Sequence, residues 1–354
     1  MAEIGDLLEL VVEMKASDLH LSVGIPPTVR HHGQLKHLDF AVLTPEETMR
    51  LVKSFAPARN LEEMARCGTS DFAITHRDKA RLRCSILRQK DMWGAVLRLI
   101  PSKLLTFEEI GLPPMVKDLL MRPRGMLLVT GPTGSGKTTT LATMIDFINQ
   151  NDDRHIITIE DPVEYYHTHK KSIVTQREVH KDVDGFAEAL RRALRQDPDV
   201  ILMGEMRDLE TISSAITAAE TGHLVLGTLH TTGSARTVDR IIDAFPHEQQ
   251  EQIRAQLSVS LIAVISQVLM PRCDKPGVVA AFEVMVMTPA IENHIRKNET
   301  FKITSAIQTS KRLGMCLLDE YLLDLYQKKK IDRESAMVFA QDKNELALKL
   351  GPID

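Results

Sequence analysis

Gly131-Pro132-Thr133-Gly134-Ser135-Gly136-Lys137-Thr138, preceded by the apolar run Met126-Leu127-Leu128-Val129-Thr130 and followed by Thr139 to Asn149, decides how the chain folds. The octet fits the phosphate-binding pattern G-x-x-x-x-G-K-[ST]. Its setting fits too: a buried-type strand, a glycine-rich turn, then a helix with Leu141, Ile145 and Ile148 on one face. Glycines lack Cβ atoms, so the backbone of Gly131 to Thr139 can curl around an anion, and the helix start adds the positive end of its dipole. Lys137 is then expected to reach the β- and γ-phosphates and the Thr138 hydroxyl to ligate Mg²⁺. The expected ligands are ATP and Mg²⁺. A turn that binds nothing needs neither this lysine nor this hydroxyl at these spacings.

Three further strand ends carry polar chemistry. Val200-Ile201-Leu202-Met203-Gly204 reads as a buried strand ending in Glu205, which places a carboxylate at the sheet edge where a nucleotide would sit. A glutamate there can orient and deprotonate a water for in-line attack on a γ-phosphate, although an acidic residue after a strand also suits a helix N-cap. Ile157-Thr158-Ile159-Glu160-Asp161-Pro162-Val163-Glu164-Tyr165 offers Glu160, Asp161 and Glu164 near one edge, enough to hold a metal's water shell; a solvated turn at Asp161-Pro162 is the plainer reading. Gly227-Thr228-Leu229-His230-Thr231-Thr232 ends another strand in a histidine, structural by position alone or facing the γ-phosphate.

Strand-then-helix alternation from residue 126 signals a parallel sheet covered on both faces. Strands are expected at 126–130, 155–160, 200–204, 224–229 and about 278–284, and helices include 185–196 and 209–221. Beyond residue 288 the chain reads as helical. The first hundred residues differ. A helix over 3–15, strands near 16–25 and 28–32, a capped helix from Thr44-Pro45-Glu46-Glu47 to about Phe55, a short helix near 60–66 and strands at 70–75, 80–87 and 94–100 describe an α+β domain. Pro101, Gly111, Pro113 and Pro114 punctuate 101–114, which reads as the linker to a second domain over 115–354. Arg81, Arg83, Arg88 and Arg98 cluster on the last strands before it, as a solvated face or as a source of charge for phosphates.

Composition narrows the partners. Aromatics make up 4% of the 354 residues, with Trp93 the only tryptophan, and the net charge is −4. Both argue against a base-stacking or strongly basic nucleic-acid surface, so no nucleic acid is expected. Cys67, Cys84, Cys273 and Cys316 form no C-x-x-C pair, and His20, His31, His32 and His37 lie on strand-like stretches without a metal-binding spacing. The thiols suit a reducing cytoplasm. The longest apolar run, Leu257 to Met270, is broken by Ser258, Ser260, Ser266 and Gln267, so no direct membrane insertion is expected.

Four boxes in order, GPTGSGKT at 131–138, ITIEDPVEY at 157–165, ILMGEMRD at 201–208 and GTLHT at 227–231, together resemble the type II/IV secretion ATPases. The resemblance extends to ASDLHLSVGIPP at 16–27 and to the C-terminal helices. It implies a PAS-like α+β domain joined to a RecA-like P-loop ATPase domain with a C-terminal helical part, assembled as a homohexamer. Residue by residue it implies Glu205 as catalytic carboxylate, an acidic box of Glu160, Asp161 and Glu164 near Mg²⁺, and His230 as the His-box residue. Arg83 and Arg98 are implied to reach the phosphates, with Arg81 a possible substitute for Arg83.

Pro289 to Lys297 is similar to the AIRNLIRE segment of the retraction branch of that family. Ala290, Ile291, Asn293, Ile295 and Arg296 keep the pattern, while Glu292 replaces arginine and His294 replaces leucine. The branch implies a cytoplasmic motor that withdraws type IV pili and supports twitching motility. It would act at the inner membrane through a platform protein, and so on pilin indirectly. Assembly or type II secretion ATPases, a nucleic-acid translocase and a non-hydrolysing nucleotide-dependent regulator are the alternatives.

Overall fold

In the computed structural model, which describes residues 3–31, 34–77, 80–100 and 104–351, the chain divides into two units. One comprises Met1–Lys103 with Pro162–Tyr166, and the other Leu104–Asp161 with His167–Asp354. His32 and residues 101–103 lie outside the described set.

Alternation builds the first unit. Strands β1 (Asp18–Leu21), β2 (Thr28–His31), β3 (Gln34–His37), β4 (Thr69–His76), β5 (Ala80–Gln89) and β6 (Met92–Ile100) form an antiparallel sheet in the order β3-β2-β1-β6-β5-β4. Leu19, Leu21, Leu82, Cys84, Ile86, Ala95 and Leu97 are buried on one face, in a core shared with the helices Ile4–Glu13, Pro45–Phe55 and Ala58–Cys67. The second helix starts at the expected capping box: Glu47 N–H donates to Thr44 Oγ1 at 3.2 Å, and Thr44 N–H to Glu47 Oε2 at 3.0 Å. Lys90 and Asp91, both at positive φ, close the β5–β6 hairpin as a two-residue turn whose twist matches the strands.

Pro162–Tyr166 joins this unit through Arg81, which is only 6% exposed. Its Nε donates to Val163 O at 2.7 Å, Nη1 donates to Tyr166 OH, and the guanidinium lies 4.1 Å from the centre of the Tyr166 ring. Arg81, the possible substitute for Arg83, thus spends its Nε, its Nη1 and one face of its guanidinium on this segment.

Long apolar strands build the second unit. Strands β7 (Gly125–Thr130), β8 (His155–Glu160), β9 (Ile173–Glu178), β10 (Val200–Met203), β11 (Leu224–Leu229), β12 (Leu261–Pro271) and β13 (Val278–Val286) are ordered β13-β12-β7-β11-β10-β8-β9. All neighbours are parallel except the edge strand β13. Every residue of β7, β10 and β11 is buried, as a sheet covered on both faces requires. The central order β12-β7-β11-β10-β8 is 5-1-4-3-2 by chain position, the doubly wound core expected for a RecA-like ATPase.

The expected strands at 126–130, 155–160, 200–204, 224–229 and 278–284 all form, within a few residues of the proposed ends. Three strands were not anticipated, β3 in the first unit and β9 and the interior β12 in the second; a continuous apolar run such as 257–270 has no period that separates helix from strand. Within the stretch beyond 288 read as helical, residues 303–313 form a helix Ile303–Thr309 and a short 3₁₀ turn Lys311–Leu313, and the last helix is Lys343–Leu350. Within the stretch read as a linker, Phe107 and Leu112 are buried in the second unit's core, so its described part is packed rather than free. Among the described residues no helix is long and apolar enough to cross a membrane.

Replacing Arg81 with leucine removes the donor to Val163 O and the Tyr166 hydroxyl, and at the buried Val163 carbonyl this loss is about 1–3 kcal/mol. Hydrogen exchange should then accelerate at the amides of residues 163–166 ahead of those in β5 and β6. Unchanged protection there would show that the segment is held by something else.

Candidate active site

Strand β7 delivers the phosphate loop to the C-terminal edge of the parallel sheet, and the helix Lys137–Asn151 leaves from it. Gly131 sits at φ +145°, and a Cβ there would lie 2.2 Å from the Gln267 carbonyl oxygen. Only glycine fits this approach of loop to β12. Gly134 and Gly136 are also at positive φ, so Pro132, Thr133 and Ser135 turn tightly, and Ser135 N–H donates to Pro132 O at 3.2 Å. The N–H groups of Lys137 and Thr138 open the helix and have no acceptor one turn back, the property that suits such a loop to phosphate.

Lys137 Nζ donates to Gly131 O at 2.9 Å and to Pro132 O at 3.1 Å. Burial lowers its pKa, and the negative charge of Glu205 opposes that shift. The charge of the strand-end carboxylate thus acts on the P-loop ammonium.

Glu205 is bracketed by its neighbours. Thr228 Oγ1 donates to Gly204 O at 2.6 Å while Met206 N–H donates to Thr228 O at 3.1 Å, fixing the backbone on either side. Gly204 passes so close to β8 that a Cβ would stand 3.1 Å from Ile159 O and 3.2 Å from Glu160 Cα. The Glu205 side chain accepts from Arg207 Nε and contacts His230 Nε2 at 2.7 Å, both through Oε1. Burial pushes this carboxyl up, but Arg207 and His230 together outweigh it and hold the pKa below the ordinary carboxylate value. The group is ionised at neutral pH and shares an oxygen with the His-box ring.

The acidic box divides. Glu160 Oε1 accepts from Thr158 Oγ1 at 2.6 Å and from Gln176 Nε2 at 3.2 Å, and Asp161 is exposed beside it, whereas Glu164 falls in the first unit. Among the described residues no three His, Cys, Asp or Glu side chains converge as a metal cluster. A cation held by Thr138 with water in its remaining positions needs none, and Thr138 stands in the first turn of the loop helix where such a ligand belongs.

In the first unit, Arg83 and Arg98 are directly opposed across β5 and β6. Arg98 Nε donates to Asp18 Oδ1 at 2.8 Å. Burial raises the pKa of this nearly buried carboxyl, but Arg98 and Ser17 bring it below the ordinary value. Arg83 is exposed, and no ion-pair partner is found for it among the described residues. Two like charges facing each other across strands favour an anion nearby.

Several functional neighbours escaped sequence reading. Arg207 had a signal, a base two residues after Glu205. Gln267 and Ser266 stood out only as polar breaks in an apolar run. A cavity of about 250 Å³ beside Thr139 and Thr140 is walled by Leu105, Ile110, Leu269 and Val279, and Tyr321 OH closes one side by donating to Gly111 O at 2.8 Å. Its lining comes from four separated stretches, which no local pattern joins.

A profile described as type II/IV secretion system protein matches residues 68–338. The type IV pilus retraction ATPase PilT of Pseudomonas aeruginosa is 48% identical over 334 residues, covering 94% of this chain and 97% of that one. A twitching motility protein of Neisseria gonorrhoeae is 45% identical over 321 residues, covering 91% and 86%. The crystal structure of the pilus retraction motor PilT with bound ADP superimposes with a TM-score of 0.91 at 45% identity, covering 98% of this chain and 99% of that one. The chain belongs to the type II/IV secretion system protein family.

Replacing Arg207 with glutamine removes the strongest influence lowering the Glu205 pKa and leaves burial opposed chiefly by His230. The Glu205 carboxyl should titrate at higher pH by ¹³C NMR. An unchanged or lower value would mean that Arg207 does not govern its charge.

Proposed function

We propose that this chain is an ATPase that converts ATP hydrolysis into mechanical work and powers the retraction of type IV pili, and with it twitching motility. The observation that carries the reading is Glu205 at a strand end of the sheet, its Oε1 shared by Arg207 and His230, with its negative charge acting on Lys137 of the phosphate loop. Retraction rather than assembly is supported by relatives named for retraction and twitching that match this chain over nearly its whole length.

ATP is the substrate. Its phosphates rest on the loop Gly131 to Thr139, where Lys137 exchanges its two carbonyl partners for phosphate oxygens, and its nucleoside enters the cavity beside Thr139 and Thr140. Thr138 would hold Mg²⁺, with Glu160 and Asp161 available to its water shell, and the ion would supply neutralising charge on the phosphates. Glu205 accepts a proton from the attacking water as its oxygen bonds to the γ-phosphorus and the bond to the β-bridging oxygen breaks, leaving ADP and phosphate. His230, on the same Glu205 oxygen, is placed to relay the change in charge to the helix Ser234–Asp243. Arg83 and Arg98 are assigned to nucleotide phosphate, with Arg83 the more available of the two; Glu164 stays with the acidic box by resemblance alone. The subunits form a homohexamer that works in the cytoplasm at the inner membrane, through a platform protein and so on pilin.

Glu205→Gln should lower ATPase turnover about 10²–10⁴-fold, the usual contribution of a general base, while ATP still binds. Cells whose only copy carries that variant should extend fluorescently labelled pili and fail to retract them. Retraction at the normal rate would overturn the assignment of Glu205, and cells that never extend pili would point to an assembly motor instead.

A further inference from the structure

Strand β12 touches both reactive loops of the second unit through two consecutive residues. Ser266 and Gln267 are 1% and 2% exposed, polar, and placed in the middle of a strand that is otherwise almost wholly apolar. Burying two such groups in sequence costs free energy unless each is satisfied, so their partners matter. As successive strand residues they point to opposite faces of the sheet.

On one face Gln267 serves the phosphate loop. Its Nε2 donates to Ser135 O at 2.6 Å, and its own carbonyl oxygen is the atom that excludes any side chain at Gly131. Its Oε1 is buried without a partner among the described residues, so the Ser135 bond alone orients the amide. On the other face Ser266 Oγ accepts from Gly233 N–H at 2.9 Å. Glu283, directly across from Ser266 on β13 and 3% exposed, accepts from the next amide, Ser234 N–H, at 2.6 Å. This carboxylate sits at the positive end of the helix Ser234–Asp243 and is held in turn by Gln341 Nε2 at 3.1 Å. A cross-strand pair thus takes two successive N–H groups three and four residues after His230.

We propose that Ser266 and Gln267 are positioning residues that set the phosphate loop and the His230 loop against one another from a single strand. Gln267 fixes the loop that binds phosphate, and Ser266, with Glu283, fixes the loop that brings His230 to Glu205. The two functions separate because the side chains leave opposite faces. The inference rests on the ATPase reading for its kinetic consequence but not for its geometry.

The test uses the full-length protein with three substitutions: Gln267→Glu, Ser266→Ala and Ser266→Thr. Gln267→Glu turns the donor toward Ser135 O into an acceptor and should raise the KM for ATP, and weaken equilibrium binding of a fluorescent ATP analogue, by about tenfold. Ser266→Ala should lower kcat by a similar factor with ATP affinity unchanged, and Ser266→Thr, which keeps the hydroxyl, should restore it. Equal losses of kcat and affinity in both Gln267→Glu and Ser266→Ala, or a Ser266→Thr no better than alanine, would overturn the proposal, since a merely structural role predicts those results. If the wild-type protein binds ATP without hydrolysing it, the ATPase reading fails and the proposal is decided by binding and NMR alone. Ser266→Ala must then move the His230 ring chemical shifts and speed hydrogen exchange at the Gly233 amide at constant ATP affinity, and unchanged signals at both would overturn it.

Discussion

The packing of β12 against the turn after β7 is the constraint on which the second unit's site depends. A backbone carbonyl, that of Gln267, occupies the volume that a side chain at position 131 would need, so the chain must leave β7 as glycine at positive φ. From that turn the remaining loop glycines and the start of the helix Lys137–Asn151 follow, and with them the orientation of the first N–H groups. Close approach recurs further along the sheet, where Gly204 lets β10 end against β8, and at Gly227 on β11, where a Cβ would meet the Met206 side chain at 3.1 Å. The reactive groups converge because several strands are packed too tightly at their ends to carry side chains. Burial of whole strands supplies the driving force, and missing Cβ atoms supply the geometry.

Electrostatics then sets the state of the groups so delivered. Glu205 is half-enclosed, and burial by itself would favour its neutral form, which could not accept a proton. Arg207 and His230 reverse that preference, and the charge they preserve opposes the loss of charge on Lys137 that burial favours. A carboxylate, an imidazole and an ammonium in one cleft thus act as a coupled set. Removing the charge of Arg207 or His230 would let burial raise the Glu205 pKa, and removing that of Glu205 would let burial lower the Lys137 pKa further.

The first unit shows how far local pattern carries. Arg81 and Arg83 are two residues apart on β5 and share a face, so periodicity treats them alike. Their fates differ because Val163 and Tyr166, some eighty positions away in the chain, cover Arg81 and leave Arg83 exposed. A similar limit applied to the acidic box, whose residues are adjacent in sequence but divide between the units after Asp161. Both cases turn on a short excursion of chain that composition does not mark.

The sequence by itself determined the α/β architecture of the second unit, the phosphate loop, the strand-end positions of Glu205, Glu160 and His230, and the family. Each of these is written in residues close together along the chain, through strand period, glycine spacing and helix starts. The tertiary structure alone decided that β12 lies beside β7, that Ser266 and Gln267 face the two reactive loops, that Arg207 and His230 meet on one oxygen of Glu205, and that Arg81 is a clamp. Those facts depend on which distant segments pack together. An apolar run reads the same whether it becomes a helix or a central strand, and a buried polar residue declares its purpose only when its partner is in place.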